Sequence, residues 1–210
     1  MGQNSPSFNT YTMSAQSEVG KAGEVLFEAI MKDSIRRGKT LTYKDVRGIA
    51  EYREDDIDYI RTLPNNREER CEVKTDTYKT GRLYAEFTVN SYKISENNEI
   101  QSVRSKQGWL HRSKADMIYY YFLNEKVLYI IERKSLCAWI DYQLLPGVQG
   151  ARPFIRSAFN RDEKSPFKIY FGIGVLIPCD DMMKAEMLQG KVWKFKVTGD
   201  EKHPILTRCP

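Results

Sequence analysis

The sequence predicts an α/β fold of three layers, a central mixed β-sheet flanked by helices. Two observations carry that reading. An amphipathic helical stretch comes first, and short β-branched or aromatic runs then follow with helical segments among them, a pattern that lays helices on a sheet. Residues 17–37 read as a helix, because Phe27, Ile30, Met31 and Ile35 recur at helical spacing and Gly38 stops the run. Residues 40–46 form a short extended piece. Residues 56–63 and 70–75 read as paired strands across Pro64-Asn65-Asn66-Arg67, and 82–89 as a third after Thr80-Gly81. Residues 91–108 are polar and aperiodic, which predicts a surface loop. Residues 115–123 and 127–133 read as strands joined at Asn124-Glu125-Lys126, and 134–142 as a helix. A Pro/Gly-punctuated loop is expected at 145–166, then a buried-type strand at 168–177, a helix at 180–188 and a last strand at 191–197.

A chain of 210 residues with 41% apolar content can build one domain around one core. We assign residues 18–210 to it and read 1–17, rich in Ser, Asn, Gln and Thr, as a disordered leader. No run approaches the roughly 20 apolar residues of a membrane span, and residues 1–18 lack the apolar segment of a signal peptide. Cys71, Cys137, Cys179 and Cys209 form no Cys-x-x-Cys pair, and the histidines are His111 and His203. That argues against structural zinc and a disulfide framework, and makes the cytoplasm the expected compartment. A net charge of +5 permits a nucleic-acid partner without requiring one.

The most informative stretch is Cys71-Glu72-Val73-Lys74. Side chains alternate along a strand, so Glu72 and Lys74 share one face while Cys71, Val73 and Thr75 take the other. Asp58, on the strand paired across the turn, would add a second carboxylate. Two carboxylates suit Mg²⁺, which binds through few protein oxygens plus phosphate and water. A neighbouring lysine can orient or deprotonate the attacking water. Those are the parts needed to hydrolyse a phosphodiester.

Asp58 followed by Glu72-x-Lys74 resembles the PD-(D/E)XK nuclease superfamily, which includes restriction endonucleases, Holliday-junction resolvases and phage nucleases. The family's proline is absent, since Ile57 precedes Asp58. The resemblance implies a restriction-endonuclease-like core and an Mg²⁺-dependent nuclease in which Mn²⁺ substitutes. Asp58, Glu72 and the Val73 carbonyl would hold the metal, Lys74 would serve the water, and products would carry 5′-phosphate and 3′-hydroxyl ends. Superfamily members often carry a glutamate on the first helix, and Gly20-Lys21-Ala22-Gly23-Glu24 resembles that element. At roughly 100° per residue, Glu24 falls inside the stripe of Phe27 and Met31, while Glu28 falls at its edge and is the competitor. A helix-face salt bridge to Lys21 or Lys32 is the other reading of Glu24.

Asp56 shares the Asp58 face but borders a run of acids, and Asp76 reads as the polar end of its strand. Gly108 to Asp116 resembles a block found downstream of Glu-x-Lys in phage and resolvase-like members. There Ser113 and Asp116 would tie down a strand start and Trp109 would pack on the rim of the site. The resemblance spans about residues 18–133. Arg152, Arg156, Arg161 and Lys164, with Phe154 and Phe159 between them, are the first candidate nucleic-acid surface. Lys93, Arg104, Lys106, Arg112 and Lys114 form a second basic group. The expected partner is nucleic acid, DNA before RNA, with no membrane; a homodimer is left open. The alternatives are an inactive nucleic-acid-binding module of the same fold and a protein-interaction α/β domain.

Overall fold

A computed structural model describes residues 13–77, 81–95, 97, 99–145, 154–161 and 168–210. It is an α/β structure with a mixed seven-stranded sheet. The chain opens on helix α1 (Met13–Arg36) and then makes β1 (Thr42–Asp45), the short α2 (Ala50–Glu54), β2 (Tyr59–Thr62) and β3 (Glu68–Asp76). Two long strands follow, β4 (Arg82–Ile94) and β5 (Ile100–Gln107), and then the one-turn α3 (Trp109–Arg112). The hairpin β6 (Met117–Phe122) and β7 (Val127–Glu132) leads into α4 (Arg133–Gln143). Strands β8 (Phe154–Arg161) and β9 (Lys168–Pro178), helix α5 (Cys179–Lys184), a 3-10 turn (Glu186–Leu188), β10 (Val192–Thr198) and β11 (Ile205–Arg208) complete it.

The large sheet has the order β1-β2-β3-β6-β7-β10-β11, and β3 with β6 is its parallel pair. The centre of this sheet is β6, whose six residues Met-Ile-Tyr-Tyr-Tyr-Phe are all buried. A strand covered on both faces reads as a continuous apolar run, as this one does. Tyr119 and Tyr121 face α1, where Leu26, Phe27 and Met31 meet Tyr59, Cys71 and Leu128. Phe27 stacks on Tyr59 at 4.4 Å between centroids and meets Tyr119 edge-on at 4.8 Å. Ile118, Tyr120 and Phe122 face the opposite layer, where Trp109, Leu136, Trp139, Ile140 and Met182 are buried.

That opposite layer also holds a second sheet, with strand order β5-β4-β9-β8. Leu83 and Ala85 of β4, with Val175 and Ile177 of β9, fill the core against the large sheet. The second sheet corrects the two expected loops. The segment 91–108 is the end of β4 and all of β5, and 145–166 contains β8. Every residue of β5 is exposed, so nothing in it had to alternate between apolar and polar. Strand β8 is an edge strand between Pro/Gly-rich segments that read as breaks. Helix α1 begins at Met13, so residues 13–17 are helical rather than part of a leader, and residues 1–12 lie outside the described ones. No helix among the described residues is long and apolar enough to cross a membrane.

Candidate active site

Asp58 stands just ahead of β2, where its N–H donates to the Cys71 carbonyl (2.9 Å) and its carbonyl accepts from Val46 (3.0 Å). Its carboxylate takes a hydrogen bond from the Val73 N–H at 2.8 Å, which aims it at β3. Glu72 and Lys74 share the face of β3 opposite α1, level with Ile118 and Tyr120 of β6. The expected alternation therefore holds, and Asp58, Glu72 and Lys74 meet at one point.

Glu72 is only 2% exposed. Its Oε1 is paired with the Lys74 ammonium, while its Oε2 is buried and has no hydrogen-bond partner. Burial pushes its carboxyl up to about 8, against the pull of Lys74. Burial also raises the Asp58 carboxyl, opposed by the Val73 N–H and by Lys74. For Lys74 burial alone would lower the pKa, but the Glu72 and Asp58 carboxylates outweigh it and keep the ammonium charged. The ammonium lies 5.4 Å from the centre of the Trp109 ring.

The segment 108–116 does what its residue types suggested. Trp109 borders Lys74; Ser113 donates to the Asp56 carbonyl (3.1 Å) and accepts from the Ala115 N–H (3.1 Å). Asp116 accepts from the Arg70 N–H (2.9 Å) and from Nε and Nη2 of its guanidinium (3.2 and 3.1 Å). Asp56 has a left-handed φ of 46° and is gripped by Arg112 through two hydrogen bonds of 2.7 and 2.8 Å. That occupies Asp56 and leaves Asp58 as the acid beside Glu72. Asp76 accepts from the Tyr120 hydroxyl at 3.0 Å, at the end of its strand.

Helix α1 presses on the other side of β3. A Cβ on Gly23 would lie 1.9 Å from Thr75 Oγ1, so only glycine allows this approach. Glu24, the next residue, is near enough for its charge to raise the Asp58 carboxyl. Its ion-pair partner is Arg47, not Lys21 or Lys32. Arg47 also binds Asp45 (2.6 Å), lies 3.8 Å from Glu28 and sits over the Tyr59 ring at 4.9 Å. Glu28 accepts from the Tyr59 hydroxyl at 3.3 Å. It therefore faces Tyr59 and Arg47 while its side chain stays partly exposed.

Three neighbours of the site escaped the sequence reading. Arg47 lies in a short loop with no motif. Arg112 carried a signal only as one of five basic residues. Glu86 of β4 is held above its ordinary range by burial, with Lys74 and Arg112 pulling it down. Of the surface candidates, Lys93, Arg104 and Lys106 belong to the β4–β5 hairpin, whereas Arg112 and Lys114 are engaged by Asp56 and Asp55. Arg156 lies level with Gly174 and Arg161 with Ile169, positions of opposite parity on β8. Arg152 and Lys164 lie outside the described residues.

Among the described residues no group of three or more His, Cys, Asp or Glu side chains is gathered to hold a metal. What the site offers is two adjacent carboxylates, one with an orphaned oxygen, and an ammonium. Such a donor set fits Mg²⁺, which relies on one or two carboxylates together with water and substrate phosphate. It does not fit zinc, which is bound by several nitrogen or sulfur ligands. No protein-family model, no curated protein and no solved structure matches this chain.

Proposed function

We propose that this chain is an Mg²⁺-dependent nuclease that hydrolyses phosphodiester bonds, with DNA favoured over RNA, at a centre of Asp58, Glu72 and Lys74. The single observation that carries the reading is the buried Glu72 Oε2, which has no partner beside Asp58 and Lys74. A buried unsatisfied carboxylate oxygen costs stability, and a purely structural Glu72–Lys74 pair gives no reason to retain it. The arrangement also matches what the PD-(D/E)XK resemblance implies, residue by residue, at Asp58, Glu72 and Lys74.

Asp58, Glu72 and the Val73 carbonyl would hold the ion, and Glu24 would support it through water. The ion, when bound, supplies positive charge that acidifies water and offsets charge building on the phosphate. Asp58 is held in place by the Val73 N–H and the ladder bonds that flank it. Lys74, whose ammonium the Glu72 and Asp58 carboxylates favour, would orient water and the phosphate oxygen as a donor. Trp109 closes one side of the ammonium and limits its motion. Arg47 offsets the charge of Glu24 beside Asp58.

The test is incubation with linear, circular, branched and single-stranded DNA, and with RNA, in Mg²⁺, Mn²⁺ or EDTA. Cleavage in either ion and none in EDTA supports the reading. No cleavage of any substrate, together with no Mn²⁺ binding by calorimetry, refutes it.

A further inference from the structure

We infer that the face of the β4–β5 hairpin carrying Lys93, Arg104 and Lys106 is the track along which the backbone of duplex DNA reaches the Asp58/Glu72/Lys74 centre. The inference rests on the nuclease reading and assigns that site its substrate path. It begins where β5 ends: the Gln107 carbonyl, next to Lys106, accepts a hydrogen bond from Arg112 (3.1 Å), which grips Asp56 at the rim of the centre, and the charge of Glu86 is felt there by Lys74 and Arg112. A Cβ on Gly172 would lie 2.7 Å from Glu86 Oε1, so the Glu86 side chain lies across β9 on one definite face of the second sheet.

The pairing of β4 with β9 is irregular between Glu86 and Thr88. Glu86 is level with Gly174, Thr88 with Ile173 and Val89 with Gly172. Because side chains alternate, a one-residue shift exchanges the two faces of a strand. After the bulge it is Val89, Ser91 and Lys93 that share the face of Glu86; in an unbroken ladder Thr88, Asn90 and Tyr92 would. Directly opposite them on β5 stand Lys106, Arg104 and Ser102. Val89, Ser91, Lys93, Ser102, Arg104 and Lys106, together with Tyr92, line one groove. The bulge thus puts a basic row on the same face of the second sheet as Glu86.

These cations are free to act. Lys93, Arg104 and Lys106 make no ion pair with any described residue, while Arg112 and Lys114, further along, are held by Asp56 and Asp55. From the level of Val89, opposite Lys106, to Lys93 the strand runs about 13 Å at about 3.3 Å per residue. That distance corresponds to about four base pairs at 3.4 Å each. A row of cations of that length, interleaved with Ser91 and Ser102, suits phosphates and sugars and gives no base readout.

The test is anisotropy of a labelled duplex in EDTA, as a function of salt, for wild type and the triple variant Lys93→Gln, Arg104→Gln, Lys106→Gln. We expect the salt slope to flatten by about one unit per lost contact, roughly three in all. A control triple at exposed Lys21, Lys32 and Lys202, each changed to Gln, should keep the wild-type slope. The three single variants, each worth about one unit, serve if the triple does not fold. A wild-type slope in the β4–β5 variants overturns the track, even where wild type cuts DNA and the nuclease reading stands. Preference of the wild type for single strands or RNA overturns the duplex assignment. A flattened slope in a protein that never cuts DNA supports the track and refutes the nuclease chemistry.

Discussion

Glu72 is buried and Lys74 half-buried, and each is the other's ion-pair partner. The Glu72 and Asp58 carboxylates favour the Lys74 ammonium against the effect of burial, and its removal should affect the reaction far more than binding. Glu24 and Glu28 share Arg47 but differ in their second neighbour. Glu24 adds its charge beside Asp58, whereas Glu28 accepts from the Tyr59 hydroxyl. Glu24→Gln should therefore lower the cleavage rate at least tenfold more than Glu28→Gln, measured at saturating Mg²⁺. Equal losses would place both acids outside the reaction. At this scale the sequence was informative wherever a residue type and a spacing coincided, as for Asp58, Glu72, Lys74 and Trp109. It was silent on Arg47, because its three carboxylate partners come from α1 and β1 through tertiary contact alone.

At the scale of elements, two contacts fix where the site sits. The first is Gly23 of α1 against Thr75 of β3. An alanine inside a helix normally gains about 1 kcal/mol over glycine. Here the added Cβ would overlap Thr75, and overpacking costs about 1–3 kcal/mol, so the sign reverses. Gly23→Ala should lower the denaturation midpoint and reduce cleavage, because α1 must retreat and carry Glu24 with it. A stabilised, fully active variant would show that α1 does not need this approach. The second is the Arg70–Asp116 pair, which ties the start of β3 to the start of β6 and so sets their parallel register. Arg70 holds the Asp116 carboxyl below its ordinary value despite burial. A depressed acid stabilises the fold above its unfolded pKa, and that contribution fades as pH falls through the folded one. Asp116→Asn should cost about 1–2 kcal/mol near pH 7, the upper range for charged hydrogen bonds being discounted because the group is 34% exposed. The difference from wild type should shrink on acidification below the normal carboxylate range. Thermal melts at pH 7 and pH 3 check it; a difference constant with pH would remove the ion pair from the explanation.

The whole molecule is one mixed sheet with a helix on one face and, on the other, a layer of helices plus a second sheet. The buried centre was legible because β6 and β7 are apolar runs, and β2 and β3 carry alternating faces with a turn between them. The second sheet was not legible beyond β9 and the first half of β4. Strand β5 is exposed throughout, and the register shift after Glu86 leaves no mark in residue type. The parallel β3–β6 pair was equally hidden, since it depends on Arg70 reaching Asp116 across 46 residues. The proposed nuclease chemistry requires Asp58, Glu72 and Lys74 to act together on a phosphodiester. Its most direct test is parallel measurement of DNA cleavage and DNA binding by wild type and Lys74→Ala in Mg²⁺. The account predicts at least a ~100-fold loss of cleavage, the usual scale for removing one proton-handling or charge-stabilising group, with binding changed less than about threefold. Cleavage by Lys74→Ala at the wild-type rate would contradict it.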